Sequence, residues 1–243
     1  MNEIALALDH VIANRHPPGK LAVYLSSGVD STIILHHLCK HFGREYIEAL
    51  TVSFGVDNDE YFRASEIAQH YRVRHTTLIH NSESFLELLF KYQHIFSRPR
   101  FNIWPIWLAK EALARGCKVA FLGEGADELF GGYSDRDYWQ GWAGQLVYVQ
   151  PVYEEIHKHF NLPLECPFMH LPRQRFLNYF TPPLKFLLKE SYRALLPWHL
   201  IHSQPPAFCN YAQMFPDFAN PRKQLNLLAT EAWLEAQKGE EAE

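Results

Sequence analysis

The run from Leu21 to Cys39 limits the fold more than any other part of this chain. Leu21-Ala22-Val23-Tyr24-Leu25 is short and apolar, as a strand buried on both faces is. Ile33-Ile34-Leu35-His36-His37-Leu38-Cys39 has the spacing of a helix. Only Ser26-Ser27-Gly28-Val29-Asp30-Ser31-Thr32 lies between them. A strand that passes through a small-residue turn into a helix builds an anion site. The N–H groups of the turn point at the anion, and the positive end of the helix adds to them. Small side chains at Ser26, Ser27 and Gly28 let phosphate approach the backbone, and Ser26 and Ser31 add hydroxyl donors. Asp30 is the odd member, since a carboxylate repels phosphate. A Mg²⁺ ion bridging Asp30 to phosphate oxygens resolves the conflict. An ordinary βα turn with a capping serine is the plainer reading of the same residues.

The alternation continues along the chain. Residues 3–14 read as an amphipathic helix with Ile4, Leu8, Val11 and Ile12 on one face, ended by Pro17, Pro18 and Gly19. Further strands are expected over Ile47–Phe54 and His75–Ile79. A helix capped by Asp57 or Asn58, after a turn from Gly55, runs to about Tyr71; another covers Ser84–Phe96, and a third runs through Ala109, Lys110 and Leu113 to Gly116. Strands alternating with helices imply a doubly wound, mainly parallel α/β sheet, whose ligands sit at the carboxyl ends of its strands. Phe54 lies at such an end. It stacks on a purine or belongs to the core of its strand.

A second informative stretch begins at Lys118. A strand runs into a turn holding Gly123, Glu124, Gly125, Asp127 and Glu128. Three acids beside a phosphate loop repel it and one another unless a cation intervenes. Asp127 is the expected second Mg²⁺ ligand. Otherwise Glu124 and Asp127 cap and open the following helix.

These two stretches carry a resemblance. Ser26 to Ser31 resembles Ser-Gly-Gly-X-Asp-Ser, the pyrophosphate-binding loop of the PP-loop ATP pyrophosphatases. Ser27 stands where most members have glycine, and a serine fits there if its φ is negative. Gly123 to Tyr133 resembles, nearly unbroken, the stretch Ser-Gly-Glu-Gly-(Ser/Ala)-Asp-Glu-(Leu/Val)-Phe-Gly-Gly-Tyr of the asparagine synthetase family, with Leu122 in the serine place. β-Lactam synthetase and other amide-forming relatives share this architecture. The resemblance covers about residues 5–200 and includes Cys166-Pro167-Phe168 and Leu196-Pro197.

The resemblance implies an adenine nucleotide α-hydrolase-like core over residues 1–133. A helical, aromatic-rich annex with an acidic tail follows over 134–243, integrated into one domain. It implies a ligase that uses ATP and Mg²⁺ to activate a small-molecule or peptide carboxylate as an acyl-adenylate, releasing pyrophosphate. Ammonia or another amine then attacks. Leu25, Phe54, Leu122 and Gly123 would contact the nucleotide. Ser26, Ser27, Gly28, Val29, Asp30 and Ser31 would bind pyrophosphate, Asp30 and Asp127 would hold Mg²⁺, and Glu124 would orient the amine or relay its proton.

Two departures from the family pattern matter. Glutamine-using members begin with a nucleophilic cysteine after Met1 and a whole glutaminase domain, whereas Asn2 stands here. The chain is therefore expected not to hydrolyse glutamine, taking nitrogen from ammonia, another amine, or a separate glutaminase or pathway partner. The family also places a charge-stabilising lysine after a Leu-Pro pair, and none follows Leu196-Pro197 as far as Pro206. Lys185 or Lys189, one helical turn apart, replaces it, or His199 or His202 does, or the second step differs. The alternative function is a catalytically impaired nucleotide-binding relative acting as a partner subunit.

Composition narrows the field further. A net charge of −4 argues against a nucleic-acid surface. With no Cys-X-X-Cys pair, it also disfavours a tRNA-thiolating PP-loop enzyme. Four scattered cysteines suit a reduced cytoplasmic protein, no apolar run approaches a membrane span, and the first twenty residues lack a signal-peptide core. Fourteen histidines include the pairs His37 with His41 and His157 with His159, with no acid or cysteine at ligand spacing. A last helix is expected over Arg222–Leu234, then a disordered acidic tail from Gly239 to Glu243.

Overall fold

Alternate residues of the central strands belong to different cores. Leu21, Val23 and Leu25 join one buried cluster with Ile47, Ala49, Val119 and Phe121. Ala22, Tyr24, Leu50, Val52, Ala120 and Leu122 join a second. Strands buried on both faces need helices on both sides. The computed structural model describes residues 3–15, 19–54, 59–132, 150–181, 185–201 and 211–240. Within it, five parallel strands form one sheet: β1 (Lys20–Tyr24), β2 (Ile47–Ser53), β3 (Arg74–Ile79), β4 (Cys117–Phe121) and β5 (Leu164–Glu165). Their order is β3-β2-β1-β4-β5.

Helices α1 (Glu3–Ala13), α2 (Val29–Phe42) and α3 (Asp59–Tyr71) pack into the first core. α4 (Ser82–Tyr92), α5 (Pro105–Ala114), α7 (Gln150–His159) and α11 (Pro221–Glu240) pack into the second. The short helices are α6 (Ala126–Phe130), α8 (Arg173–Phe176), α9 (Phe186–Ser191) and α10 (Tyr211–Met214). The chain leaves β1 toward β2 and β3 on one side, while β4 and β5 lie on the other. The strand order therefore reverses between β1 and β4, and a crevice opens at their carboxyl ends. This is the doubly wound parallel α/β fold expected above, with helices closing the C-terminal part.

At the other end of the sheet, Glu48 is a buried carboxylate inside β2. It accepts from Arg74 Nε at 2.6 Å and Lys20 Nζ at 3.2 Å, with Arg115 3.8 Å away. The cations come from β1, β3 and the end of α5, so one buried charge ties three neighbouring segments together.

Several expectations need correction. β5 lies beyond residue 133, in the part read as a helical annex. It is two residues long and carries no alternation to detect, yet the Ala120 N–H donates to Pro163 O at 2.8 Å and the Leu122 N–H to Glu165 O at 3.0 Å. α4 starts at Ser82 rather than Ser84. Asn81 caps it, accepting from the Ser84 N–H at 2.9 Å, while Ser84 Oγ receives the Asn81 N–H at 3.1 Å. The serine taken as a start is the third residue of a capping box. α11 continues to Glu240, so Gly239 and Glu240 are helical rather than tail. The turn at Gly55–Asn58, Tyr133 with the aromatics up to Tyr148, and His202 with Pro205-Pro206 lie outside the described residues.

Candidate active site

The loop after β1 is folded by its own serines. Ser31 Oγ receives the Ser26 N–H at 3.1 Å and donates to Ser26 O at 3.2 Å, and Ser26 Oγ receives the Gly28 N–H at 3.1 Å. Thr32 Oγ1 donates to Gly28 O at 2.8 Å. Among the described residues Arg72, Asn161 and Lys185 are the non-glycines in the left-handed region, so Ser27 is not strained where relatives carry glycine. Gly28 itself is extended, with φ −80°. Gly28 caps α2 without any side-chain hydrogen bond, which leaves the first turn of a fourteen-residue helix facing the crevice.

The turn after β4 approaches this loop closely. A Cβ on Gly123 would lie 3.0 Å from the Asp30 backbone and from the Ser31 nitrogen, so only glycine lets the two turns meet. Gly125 has φ +95°, and a Cβ there would stand 2.6 Å from Met169 Sδ. Gly125→Ala is expected to lower stability by about 1–3 kcal/mol through backbone strain and overpacking. A thermal melt reads this as a fall of several degrees, and an unchanged midpoint contradicts it.

Between the two turns lies a cleft of about 240 Å³. Leu25, Ser26, Asp30 and Ser31 line one side, and Leu122, Gly123, Glu124 and Asp127 the other. Its apolar wall is Tyr24, Leu50, Val52, Trp104, Leu108 and Tyr153. Eight of the expected site residues thus converge from turns about ninety residues apart in the chain, while Gly28 and Val29 do not line the cleft. Ser27 is fully buried under the loop. Phe54 is not among the lining residues; its ring packs on Phe85 and Trp107, 6.2 and 5.9 Å between centroids, as strand core does. A second cavity of about 150 Å³ shares Glu124 and Tyr153 with the cleft and is closed by Glu154, Leu164, Cys166, Met169 and His170.

Lys185 reaches two acids of this cleft from the C-terminal half. Its ammonium donates to Asp30 Oδ2 and to Asp127 Oδ1, each at 2.5 Å. Its side chain is 9% exposed, against 22% for Asp30 and 37% for Asp127. Burial pulls the Lys185 ammonium down, but the two carboxylates outweigh it and hold it above the ordinary lysine range. Burial pushes the Asp30 carboxyl up, to about 6, against the pull of Lys185. Lys189 lies one turn further on, in the last turn of α9. Burial, then the Lys185 charge, lowers its pKa. Of the two lysines singled out from the sequence, Lys185 is the one that spans the acids.

The residues fit a Mg²⁺ ion. Two carboxylates from different turns converge on one cation, and Asp30 Oδ1 is buried with no hydrogen-bond partner. Hard oxygen donors beside helix N–H groups are the set that a metal–phosphate complex requires.

The wall residues were missed by sequence reasoning. Trp104, just before α5, and Tyr153, on α7, carry no motif, although Asn102 gives a signal: its Oδ1 accepts from Trp104 Nε1 at 2.6 Å and Tyr211 Oη at 2.9 Å. Tyr24 is the one polar-tipped residue in the apolar run Leu21–Leu25. Its hydroxyl meets His157 Nε2 at 3.1 Å, and His157 Nδ1 meets Leu162 O at 3.0 Å. The carbonyl must accept, so Nδ1 carries a proton. Burial lowers His157 to about 4, and does the same to His37, His75 and His80. Below about pH 6.5 the unfolded chain takes up these protons and the folded chain does not. Asp30, raised to about 6, acts the other way but is one group against four. Stability is therefore expected to fall between pH 6.5 and 4. A urea midpoint as high at pH 5 as at pH 7 contradicts this.

His37 and His41 also have an acid partner that spacing alone did not reveal. Asp9 of α1 places Oδ1 2.7 Å from His37 Nδ1 and 2.8 Å from His41 Nε2, and Lys40 holds its other oxygen. The cluster is a hydrogen-bonded knot, completed by Tyr192 Oη at 2.7 Å from His37 Nε2.

A phosphate-type loop at the switch point of a parallel sheet, faced by an acidic glycine-rich turn, defines a nucleotide-site class. Residues 7–214 match the Asparagine synthase family, and the chain belongs to it. A Methanocaldococcus jannaschii protein named putative asparagine synthetase (glutamine-hydrolyzing) 1 is 26% identical over 152 residues, 60% of this chain and 27% of that protein. A Mycobacterium bovis protein named putative asparagine synthetase (glutamine-hydrolyzing) is 27% identical over 140 residues, 55% of this chain and 21% of that one. The chain thus aligns with about a quarter of the length of the curated relatives it matches. Among solved structures, the U34-tRNA thiolase NcsA from Methanococcus maripaludis superposes with a TM-score of 0.47 at 14% identity, covering 97% of this chain and 77% of that one. No described helix is long and apolar enough to cross a membrane.

Proposed function

We propose that this chain is an ATP-dependent amide ligase that activates a carboxylate as its acyl-adenylate and passes the acyl group to ammonia or another amine. One observation carries the reading: Lys185 bridges Asp30 and Asp127, the two carboxylates that line opposite sides of the cleft between the β1 and β4 turns. The N–H groups that open α2 hold the pyrophosphate as it leaves, and the apolar wall of Leu50, Val52, Trp104 and Tyr153 receives the base. Mg²⁺ held by Asp30 and Asp127 supplies charge neutralisation for the phosphates when bound. Glu124 borders both the cleft and the second cavity, so an amine arriving through that cavity meets its carboxylate. Lys185 stabilises charge on the carbonyl and phosphate oxygens during aminolysis. Unstrained Ser27 and the lysine that bridges Asp30 and Asp127 support this reading over a catalytically impaired one.

The test is product analysis. Turnover with a carboxylate and ammonia should release AMP and pyrophosphate in equal amounts. Release of ADP and phosphate sinks the proposal.

A further inference from the structure

We propose that Lys185 is the resident counter-ion of the Asp30–Asp127 pair and gives up that place to a divalent ion only when nucleotide arrives, so that metal and ATP enter together. The inference rests on the reading that these two carboxylates hold Mg²⁺. Two 2.5 Å contacts on one nitrogen put the two carboxylate oxygens within about 5 Å of each other. Two like charges at that separation are not left bare, and among the described residues the ammonium that touches both belongs to Lys185.

The backbone that carries Lys185 is fixed. Its φ is +55°, its N–H donates to Gly131 O at 3.2 Å, and its C=O accepts from the Lys189 N–H at 3.0 Å. The rest of the segment is tied to the same helix as Asp30. Asp30 and His37 are seven residues apart on α2, and Lys185 and Tyr192 are seven residues apart along α9. Asp30 meets Lys185, and His37 meets Tyr192 at 2.7 Å. These two rungs clamp α9 alongside α2, with Asp9 behind His37. The exchange we propose moves the four-carbon stem of Lys185 and its ammonium, not the backbone held by these contacts.

Charge then decides the order of entry. A metal ion alone must displace an ammonium that both carboxylates hold, and afterwards repels it. ATP brings phosphate oxygens beside the loop, which accept the displaced ammonium and share the ion. Metal without nucleotide is therefore excluded by Lys185, and metal with nucleotide is admitted. Glycine at 123 keeps both turns close enough for the exchange to occur in place.

Mn²⁺ is the probe, followed by its free-ion electron paramagnetic signal without nucleotide. Wild type should bind Mn²⁺ at least tenfold more weakly than Lys185→Met. Lys185→Gln, which fills similar space and keeps a polar end, should also gain affinity, and Lys185→Met with Asp127→Asn should lose the gain. Circular dichroism checks that each variant is folded. No gain in either single variant, while Mn²⁺·ATP binds wild type and is lost in Asp30→Asn, overturns the counter-ion role alone. Failure of Mn²⁺·ATP to bind wild type overturns the metal assignment and this proposal with it.

Discussion

Asp30→Asn and Asp127→Asn should each lower Mg²⁺-dependent ATP–pyrophosphate exchange by roughly a hundredfold or more, with the fold retained. The amide keeps the size of each side chain but loses the negative oxygen. At position 30 the change falls on a side chain whose Oδ1 has no hydrogen-bond partner, so that oxygen serves no described packing role. At position 127 it falls on a side chain folded against Gly132, where any Cβ would collide with the carboxylate. The Gly131 and Gly132 N–H groups both donate to the Asp127 backbone carbonyl, at 3.0 and 2.9 Å, and neither substitution touches those bonds. Melting temperatures near wild type with exchange lost would match the assignment. Wild-type exchange in either variant removes it.

Lys185→Met should divide the two chemical steps. In the proposed second step an amine attacks the adenylate, the carbonyl oxygen takes up negative charge and AMP departs with more. Losing one donor at such an oxyanion costs about 3–4 kcal/mol, which is a factor of roughly 10²–10³ in rate. Aminolysis should fall by that amount, while pyrophosphate exchange, which ends at the adenylate, falls much less. Lys189→Met should change both steps less than Lys185→Met does, since Lys189 sits in the last turn of α9, away from the two carboxylate contacts. Equal loss of exchange and aminolysis in Lys185→Met would place the lysine in the first step instead.

The parts of the fold that could be read from sequence are those with a period or a punctuating residue. β1, α2 and β2 follow from apolar-rich runs and from Gly28 and Gly43, whose φ of +80° ends α2. β5 could not be read, because two residues have no period and their place is set by hydrogen bonds to β4 alone. The same holds for the site. The β1 and β4 turns carry their chemistry in adjacent residues, so the motifs were visible. Trp104 and Tyr153 reach the cleft only because α5 and α7 pack on the second face of the sheet, a tertiary fact with no local trace. Phe54 shows the converse: its position at the end of β2 is right for a nucleotide contact, but Phe85 and Trp107 hold its ring. Asp9 meets His37 across 28 residues, and helical spacing on α2 alone gave only the two imidazoles.

In the proposed reaction ATP is cleaved between its α- and β-phosphates by a carboxylate bound beside the β1 loop. Labelled pyrophosphate offered with unlabelled ATP, Mg²⁺ and a panel of carboxylic acids tests it most directly. The account predicts label entering ATP with at least one acid, only when that acid and Mg²⁺ are both present, and none in Asp30→Asn. Label entering ATP without any acid, or amide product formed with no exchange under any condition, would contradict it.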